Sequence, residues 1–122
     1  MNRNELIQFT ETLILIQKAL DFTGEGITIA DCNQPDMPLI YVNKGFEELT
    51  GYSAEEVIGT NCRFLQGPDK DQEGIKILRE AITHNQSTEV VLKNYRKDGT
   101  LFYNQLKISP IVDSNGKVTH FV

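Results

Sequence analysis

The feature that most constrains this chain is a pair of alternating runs on either side of a short turn near its C-terminal end. In both runs every second residue is apolar or an amide: Val90, Leu92, Asn94, Phe102, Asn104, Leu106 and Ile108. A period of two is typical of strands, whose successive side chains point to opposite faces. A three-residue turn with Gly99 in the left-handed region would pair Arg96 with Thr100 and place these residues on one face. We therefore expect an antiparallel hairpin with a largely apolar inner face.

Further strands are predicted before and after the hairpin. The strand over residues 27–30 alternates, whereas the strand over 39–42 is apolar throughout and is expected to be buried. Asn115 and Gly116 mark a turn, after which a last strand is expected over 117–122. We predict an α+β fold, in which helices pack on one face of an antiparallel five-stranded sheet.

Helical patterns fill the remaining segments. The first is an amphipathic helix over residues 4–21, whose apolar residues recur at spacings of three and four: Leu6, Phe9, Leu13, Ile16 and Leu20. Short helical pieces are expected between residues 43 and 65. Asp69 with Gln72 forms a capping-box signature for a longer helix that ends near His84.

The apolar stripe of the N-terminal helix leaves two readings open. It is broad enough to bury against its own domain, or to pair with the same helix of a second copy. Two repeats of heptad spacing do not decide between the two. The remaining chain suits one core, since the 122 residues match the length of a single domain.

Charge and composition exclude several classes of partner. A net charge of −5 argues against generic binding to nucleic acid or to an anionic membrane. The longest apolar run, residues 13–16, is far shorter than the roughly 20 residues that span a bilayer. Cys32 and Cys62 are too few for a disulfide framework, and no signal-peptide pattern opens the chain. We therefore expect a cytoplasmic domain that contacts neither membrane nor nucleic acid.

Asn94 and Asn104 are the amides in two otherwise apolar rows, and the predicted turn makes them diagonal neighbours across the strands. A buried amide without a partner costs about 1–3 kcal/mol. The two side chains therefore bond to each other or to a loop, or they bind the polar edge of a flat heterocycle. The pattern itself leaves both interpretations open.

The segment over residues 59–66 is the densest polar stretch and contains Cys62 and Arg63. Neither histidine is in a recognisable pairing with Cys62, which argues against an enzyme with a thiolate nucleophile. The ligand spacing predicts no metal site. Arg63 and Arg79 together could hold one phosphate, or both could be solvated surface residues.

The segment Gly-Thr-Asn-Cys-Arg-Phe-Leu-Gln over residues 59–66 is very similar to the signature of LOV (light-oxygen-voltage) domains, the flavin-binding photosensory branch of the PAS superfamily. The resemblance extends from about residue 26 to 122 and includes residues 38–43, 51–53 and 94–100. It implies a blue-light photoreceptor domain that binds FMN and switches a downstream output. The alternative is a PAS-type dimerisation or interaction module in which flavin binding is incidental.

The resemblance also implies roles for single residues. Cys62 resembles the photoactive cysteine, whose sulfur bonds reversibly to flavin carbon C4a after blue-light absorption. Polar residues match cofactor ligands: Arg63 and Arg79 for the phosphate, Asn61 and Gln66 for the ribityl chain and phosphate, and Asn94 and Asn104 for the pyrimidine edge of the ring. Less specific matches fall at pocket-lining positions: Thr28, Phe46, Leu65, Ile82, Leu106, Ile108 and Phe121. Because such an adduct reverts in the dark, neither substrate turnover nor a metal is implied.

The resemblance further implies a layout of two parts. Residues 1–23 would form an N-terminal helix that can serve in dimerisation, and residues 24–122 the LOV core. LOV domains carry a glutamine on the last strand, a few residues beyond the position of Phe121, whereas the sequence ends at Val122. We therefore expect a core that is truncated at its C terminus and lacks an effector, but retains FMN binding and adduct formation. The expected partner is a second copy, held through the N-terminal helix or the sheet face.

Overall fold

The computed structural model describes all 122 residues. In chain order the elements are α1 (Arg3–Asp21), β1 (Thr28–Asp31), β2 (Leu39–Val42), α2 (Lys44–Thr50), α3 (Ala54–Val57), a 3₁₀ helix (Cys62–Gln66), α4 (Glu73–Thr83), β3 (Thr88–Tyr95), β4 (Leu101–Ile108), β5 (Pro110–Val112) and β6 (Val118–Phe121). None of the helices combines the length and apolar character that a membrane span requires.

β3 and β4 form the predicted hairpin. The Arg96 N–H donates to the Thr100 carbonyl oxygen at 2.9 Å, and Gly99 between them has a φ of 87°. The resulting register places the even-numbered residues of both strands on one face, where they are buried or half-buried: Val90, Leu92, Asn94, Phe102, Asn104, Leu106 and Ile108. The predictions of the turn, the register and the inner face are therefore confirmed.

The antiparallel arrangement contains six strands rather than the predicted five. β4 ends at Ile108 and pairs with β3, whereas β5 begins at Pro110 and pairs with β6. Pro110 has no N–H to donate to a ladder, which favours a break at this point. Ser109, between the two, exchanges backbone hydrogen bonds of 3.0 Å each with Val122. The interrupted strand thus connects the hairpin to the four-stranded order β2-β1-β6-β5.

The buried apolar residues form three clusters on the inner side of the sheet. The first joins β1 and β2 to α2, α3 and the 3₁₀ helix and includes Leu39 and Phe46. The second joins α4 to the hairpin through Ile75, and the third joins α4 to β4 and β6 through Phe121. Met37 packs against both the first and the third cluster. The helices of the core therefore pack on one face of the sheet, as the α+β prediction requires.

Two local predictions are wrong. Gln72 precedes α4 without a side-chain capping bond, so the spacing of Asp69 and Gln72 is not a capping box. The Gln72 amide instead bonds the backbone N–H and carbonyl of Lys93 at 2.8 and 2.9 Å, which satisfies part of the open edge of β3. Ile40 is 42% exposed, because alternate residues of β2 point away from the core.

Helix α1 contains no buried residue. Its C-terminal end is attached to the core, because Asn43 Nδ2 donates to the Leu20 carbonyl at 3.0 Å and the Lys44 N–H donates to Asp21 Oδ1 at 2.9 Å. Its apolar stripe is solvent-exposed along its length: Leu6, Ile7, Phe9, Leu13, Ile14 and Ile16. The structure therefore does not bury this stripe against its own domain.

Candidate functional site

Asn94 and Asn104 meet on the inner face of the hairpin. Asn104 Nδ2 donates to Asn94 Oδ1 at 3.0 Å, and Asn94 Nδ2 donates to the Lys93 carbonyl at 3.0 Å. Asn94 is 3% exposed, whereas Asn104 is half-buried. The bond between the two amides engages only the Nδ2 of Asn104, so its Oδ1 and its second N–H remain for a ligand. A flat ligand with donors and acceptors along one edge can use both groups.

Cys62 opens the 3₁₀ helix and packs against the first apolar cluster. Burial raises the pKa of its thiol from 9.0 to about 11, so the thiol is protonated at neutral pH. The histidines have other neighbours, since His84 lies beside Glu80 and His120 beside Asp31. Cys62 is therefore a neutral thiol without an activating base, which is unlike the low-pKa cysteines of thiol enzymes.

Asn61 precedes the 3₁₀ helix and caps it. Asn61 Oδ1 accepts from the Arg63 N–H at 3.0 Å, and Asn61 Nδ2 donates to the carbonyls of Asp36 and Met37 at 2.7 and 3.4 Å. The Arg63 guanidinium forms an ion pair with the Asp36 carboxylate, which raises the pKa of Arg63. Asp36 is not among the predicted site residues, because no local pattern in the sequence links it to Arg63, 27 positions further along the chain.

Gln66 and Arg79 are the other predicted ligands of the ribityl chain and phosphate. Gln66 ends the 3₁₀ helix and is half-buried. Arg79 is exposed on α4, and it takes part in none of the ion pairs. The structure joins Arg63 to Asp36 but brings the two arginines to no shared partner. Their joint action on one phosphate stays a prediction.

The predicted pocket residues are distributed over the three apolar clusters. Phe46 and Leu65 belong to the first cluster, and Ile108 and Phe121 to the third, with Ile82 and Leu106 packed against it: all six lie on core elements. Thr28 is half-buried at the start of β1. The role of these residues as pocket lining stays a prediction.

Asn43 is a buried polar residue that sequence reasoning missed, with 2% of its surface exposed. Asn43 Oδ1 accepts from the N–H groups of Ile27 and Phe46 at 2.8 and 2.9 Å. Its Nδ2 donates to the carbonyls of Leu20 and Glu25 at 3.0 and 2.8 Å. The signal that could have identified it is an asparagine directly before a helical pattern, the usual N-cap. Asn43 thereby connects Phe46 to the end of α1.

No group of three or more histidine, cysteine, aspartate or glutamate residues is arranged to hold a metal ion. The arrangement instead brings a neutral thiol, an amide pair and apolar surface to the inner side of one sheet. Such a combination suits a planar organic ligand more than an ionic one.

Comparison with known proteins agrees with this geometry. Residues 24–122 match the family model described as a PAS domain. A blue-light photoreceptor of Listeria monocytogenes is 50% identical over 101 residues, which are 83% of this chain and 40% of that protein. The solved LOV domain of a blue-light-activated histidine kinase from Erythrobacter litoralis is 45% identical with a TM-score of 0.75, covering 80% of this chain and 89% of that one.

This chain is a LOV domain of the PAS family. The prediction of the family is confirmed, and so is the prediction of a blue-light sensory domain. A further structure, of an RNA-binding light-oxygen-voltage receptor, is 40% identical with a TM-score of 0.83 and covers 88% of this chain but 30% of that receptor. The LOV domain also spans less than half the length of the curated relatives that it matches.

The residues of this LOV domain fit the flavin that its family binds. The unengaged Oδ1 and N–H of Asn104 offer one acceptor and one donor at the edge of an apolar face. Cys62 supplies an uncharged thiol on the side of the 3₁₀ helix, and Arg63 supplies a cation for an anionic group. The buried apolar residues form three clusters that involve several helices and strands. A bound flavin ring would therefore contact apolar side chains from more than one element.

Proposed function

We propose that this LOV domain binds FMN and that Cys62 bonds reversibly to flavin carbon C4a under blue light. The flavin supplies the light absorption and the electrophilic carbon. The observation that carries the proposal is the position of Cys62, which opens the 3₁₀ helix and packs against the apolar core of a chain that is similar to blue-light photoreceptors. Cys62 is a neutral thiol without an activating base, so a covalent reaction at this position needs an activated partner, which an excited flavin would provide.

The other residues position the ligand rather than react. Asn94 and Asn104 would bind the polar edge of the ring, Gln66 the chain, and Arg63 with Arg79 the phosphate. In the proposed addition the thiol sulfur goes to the carbon and the thiol hydrogen to the adjacent ring nitrogen, so no oxidant or reductant is consumed. Reversal in the dark restores the starting state, and the domain turns over no substrate.

Cys62 has a matched control in the same chain, because Cys32 is also a free, partly buried cysteine. We expect the purified wild-type protein to be yellow, to lose its blue absorbance on illumination and to recover in the dark. Cys62→Ala should keep the colour but lose the bleaching and fluoresce more strongly, whereas Cys32→Ala should behave as wild type. Reversible bleaching in Cys62→Ala, or a protein that takes up no flavin, contradicts the proposal.

The choice of FMN depends on the two arginines, because riboflavin lacks the phosphate that they would bind. Chromatography of the flavin released by denaturation should identify FMN. Arg63→Gln and Arg79→Gln should each weaken FMN binding and leave riboflavin binding unchanged. Release of riboflavin alone from the wild type contradicts this assignment.

We also propose that the LOV domain forms a homodimer through α1. The surface area of the chain is 8238 Å², against about 6,600 Å² expected for a compact monomer of this mass. The excess of about 1,600 Å² is about twice the roughly 800 Å² that each partner buries in a standard interface. Exposed apolar residues on α1, such as Leu13 and Ile16, would provide the contact. This favours the dimerisation module as a second function, alongside light sensing.

Leu13→Glu tests the dimer, because a charge in the stripe should oppose pairing of two copies. Sedimentation velocity should show a dimer for the wild type and a monomer for Leu13→Glu, with Glu11→Gln on the same helix as the control. A dimer that persists in Leu13→Glu and after deletion of residues 1–21 excludes α1 and points to the sheet face.

LOV relatives are joined to other domains, and the activities of those domains belong to the relatives. The RNA binding named for one solved receptor belongs to that receptor, of which this chain matches 30%. We propose that this domain itself makes no nucleic-acid contact, because its net charge of −5 leaves little positive surface. A mobility shift with mixed RNA oligonucleotides at low salt should therefore show no complex, and a complex would contradict it.

A further inference from the structure

A strained turn places a carboxylate beside Arg63. Asp36 and Met37 have φ values of 67° and 46°, in a region that residues other than glycine adopt rarely. Such residues persist only when the surrounding structure holds them, and they concentrate at functional sites. The backbone conformation at Asp36 is therefore held by its surroundings rather than by its own preference.

Asn61 holds this turn against the 3₁₀ helix. Its Nδ2 donates to the carbonyls of Asp36 and Met37, while its Oδ1 accepts from the Arg63 N–H. One side chain thus fixes the backbone of Asp36 relative to the backbone of Arg63. The ion pair between the carboxylate and the guanidinium forms across this connection.

The pairing has a consequence for an anionic ligand. A terminal phosphate is a dianion, and it would bind the same guanidinium with which Asp36 already pairs. Phosphate binding at Arg63 therefore requires the guanidinium to give up Asp36 or to divide its hydrogen bonds between two acceptors, and either lowers the affinity for phosphate. The Arg63 and Asp36 side chains are 54% and 60% exposed, so water and salt moderate the effect.

We propose that Asp36 sets the affinity of the phosphate subsite by competing with the flavin phosphate for Arg63. It weakens the binding of a phosphorylated flavin and leaves an unphosphorylated flavin unaffected. Asp36 thereby reduces the preference for FMN over riboflavin that the arginines create. The inference rests on the proposed function, because it requires a flavin phosphate to reach Arg63.

The test is a titration of the 122-residue chain, stripped of flavin, with FMN and with riboflavin in the dark. Asp36→Asn removes the charge and keeps both the size of the side chain and its tolerance of the left-handed region. The dissociation constant for FMN should fall roughly threefold at low ionic strength, and the gain should shrink as salt is added. The constant for riboflavin should stay unchanged. Glu11→Gln removes one carboxylate from exposed α1 and should change neither constant.

Arg63→Gln tests whether Asp36 changes the affinity for FMN through the Arg63 guanidinium. In that background Asp36→Asn should bring no gain in FMN affinity, because the contested guanidinium is absent. A gain of the same size overturns the proposal, since Asp36 would then repel the phosphate directly. A loss of FMN affinity in Asp36→Asn also overturns it, since the carboxylate would then position Arg63.

The failure of this inference is separable from the failure of the proposed function. A wild-type protein that binds neither flavin contradicts the proposed function. A protein that binds both flavins, with the same ratio of constants in wild type and Asp36→Asn, contradicts only the role of Asp36.

Discussion

The inner face of the hairpin and the stripe of α1 are both rows of apolar residues, but their surroundings are opposite. Val90 and Leu92 on the hairpin are 7% and 4% exposed, whereas Leu13 and Ile16 on α1 are 50% and 51% exposed. A hydrophobic period indicates which face of an element will be covered. It does not say whether the cover comes from the same chain or from another molecule.

The difference also separates two uses of the molecule. The hairpin face is covered by α4 at Val90 and Leu92, and Asn94 and Asn104 on the same face are bonded to each other. The α1 stripe has no cover within the chain and carries no polar site. We propose that the inner side of the sheet, with Cys62 packed against its core, serves light sensing and that the α1 stripe serves assembly. The stability, amide-pair and truncation predictions test that division, and two further predictions test the state of the Cys62 thiol.

The largest expected effect is on stability. Leu92→Ala should lower the free energy of unfolding by about 2–5 kcal/mol, because it leaves a cavity between the hairpin and α4. Leu13→Ala, the matched change on α1, should cost less than about 0.5 kcal/mol in the monomer. Urea unfolding of dilute protein measures both. Equal losses would remove the distinction between the two regions.

The next effect concerns the reactivity of Cys62. A pKa of about 11 in place of 9.0 lowers its thiolate fraction at pH 8, by about a hundredfold for a shift of two units. Alkylation of Cys62 by iodoacetamide at pH 8 should therefore be slower by about this factor than in a Cys62 peptide, as mass spectrometry can determine. A folded protein whose Cys62 reacts as fast as the peptide would contradict the buried thiol.

The same shift predicts a dependence of stability on pH. The folded state disfavours the thiolate, so the protein loses stability as pH rises above 9.0 towards about 11. Cys62→Ala should show a shallower loss over that window, measured by urea unfolding at several pH values. Parallel curves for the two proteins would show that Cys62 is not responsible.

A smaller effect is expected at the amide pair. Asn104→Leu removes the donor to Asn94 Oδ1 and should cost about 1–3 kcal/mol, because a buried acceptor loses its partner. Replacing both amides by leucine should recover part of this loss while flavin affinity stays low. A double variant with normal flavin affinity would show that the pair does not bind the ring.

The smallest effect is expected from removing residues 2–18, which comprise the N-cap and the part of α1 before its attachment to the core. Since no residue of α1 is buried, the unfolding free energy of the remaining domain should change by less than about 1 kcal/mol. Light-dependent bleaching should be unchanged. A loss comparable to that of Leu92→Ala would show that α1 supports the core.

Much of the hairpin could be predicted from the sequence, because its information is local. The alternation fixes the faces, and the turn around Gly99 fixes the register that pairs Arg96 with Thr100. The LOV resemblance over residues 59–66 identified the family, which the comparisons confirm.

Two contacts of the structure were not predicted, because each joins residues that are far apart in the sequence. The exposed Ile40 is a different error, since it concerns the two faces of a single strand. Gln72 resembles a local cap, but its amide satisfies Lys93 on the edge of β3. Asp36 lies in an unremarkable loop, and only the fold brings it to Arg63. Sequence spacing reports on neighbours along a helix or strand, and carries little information about such long-range pairs.

The central claim is that Cys62 is a neutral thiol that reacts only in light, and infrared difference spectroscopy tests it most directly. The dark protein should show an S–H stretching band that disappears on illumination and returns in the dark. The disappearance should be absent in Cys62→Ala and retained in Cys32→Ala. A protein that bleaches reversibly while its S–H bands stay unchanged would contradict the account.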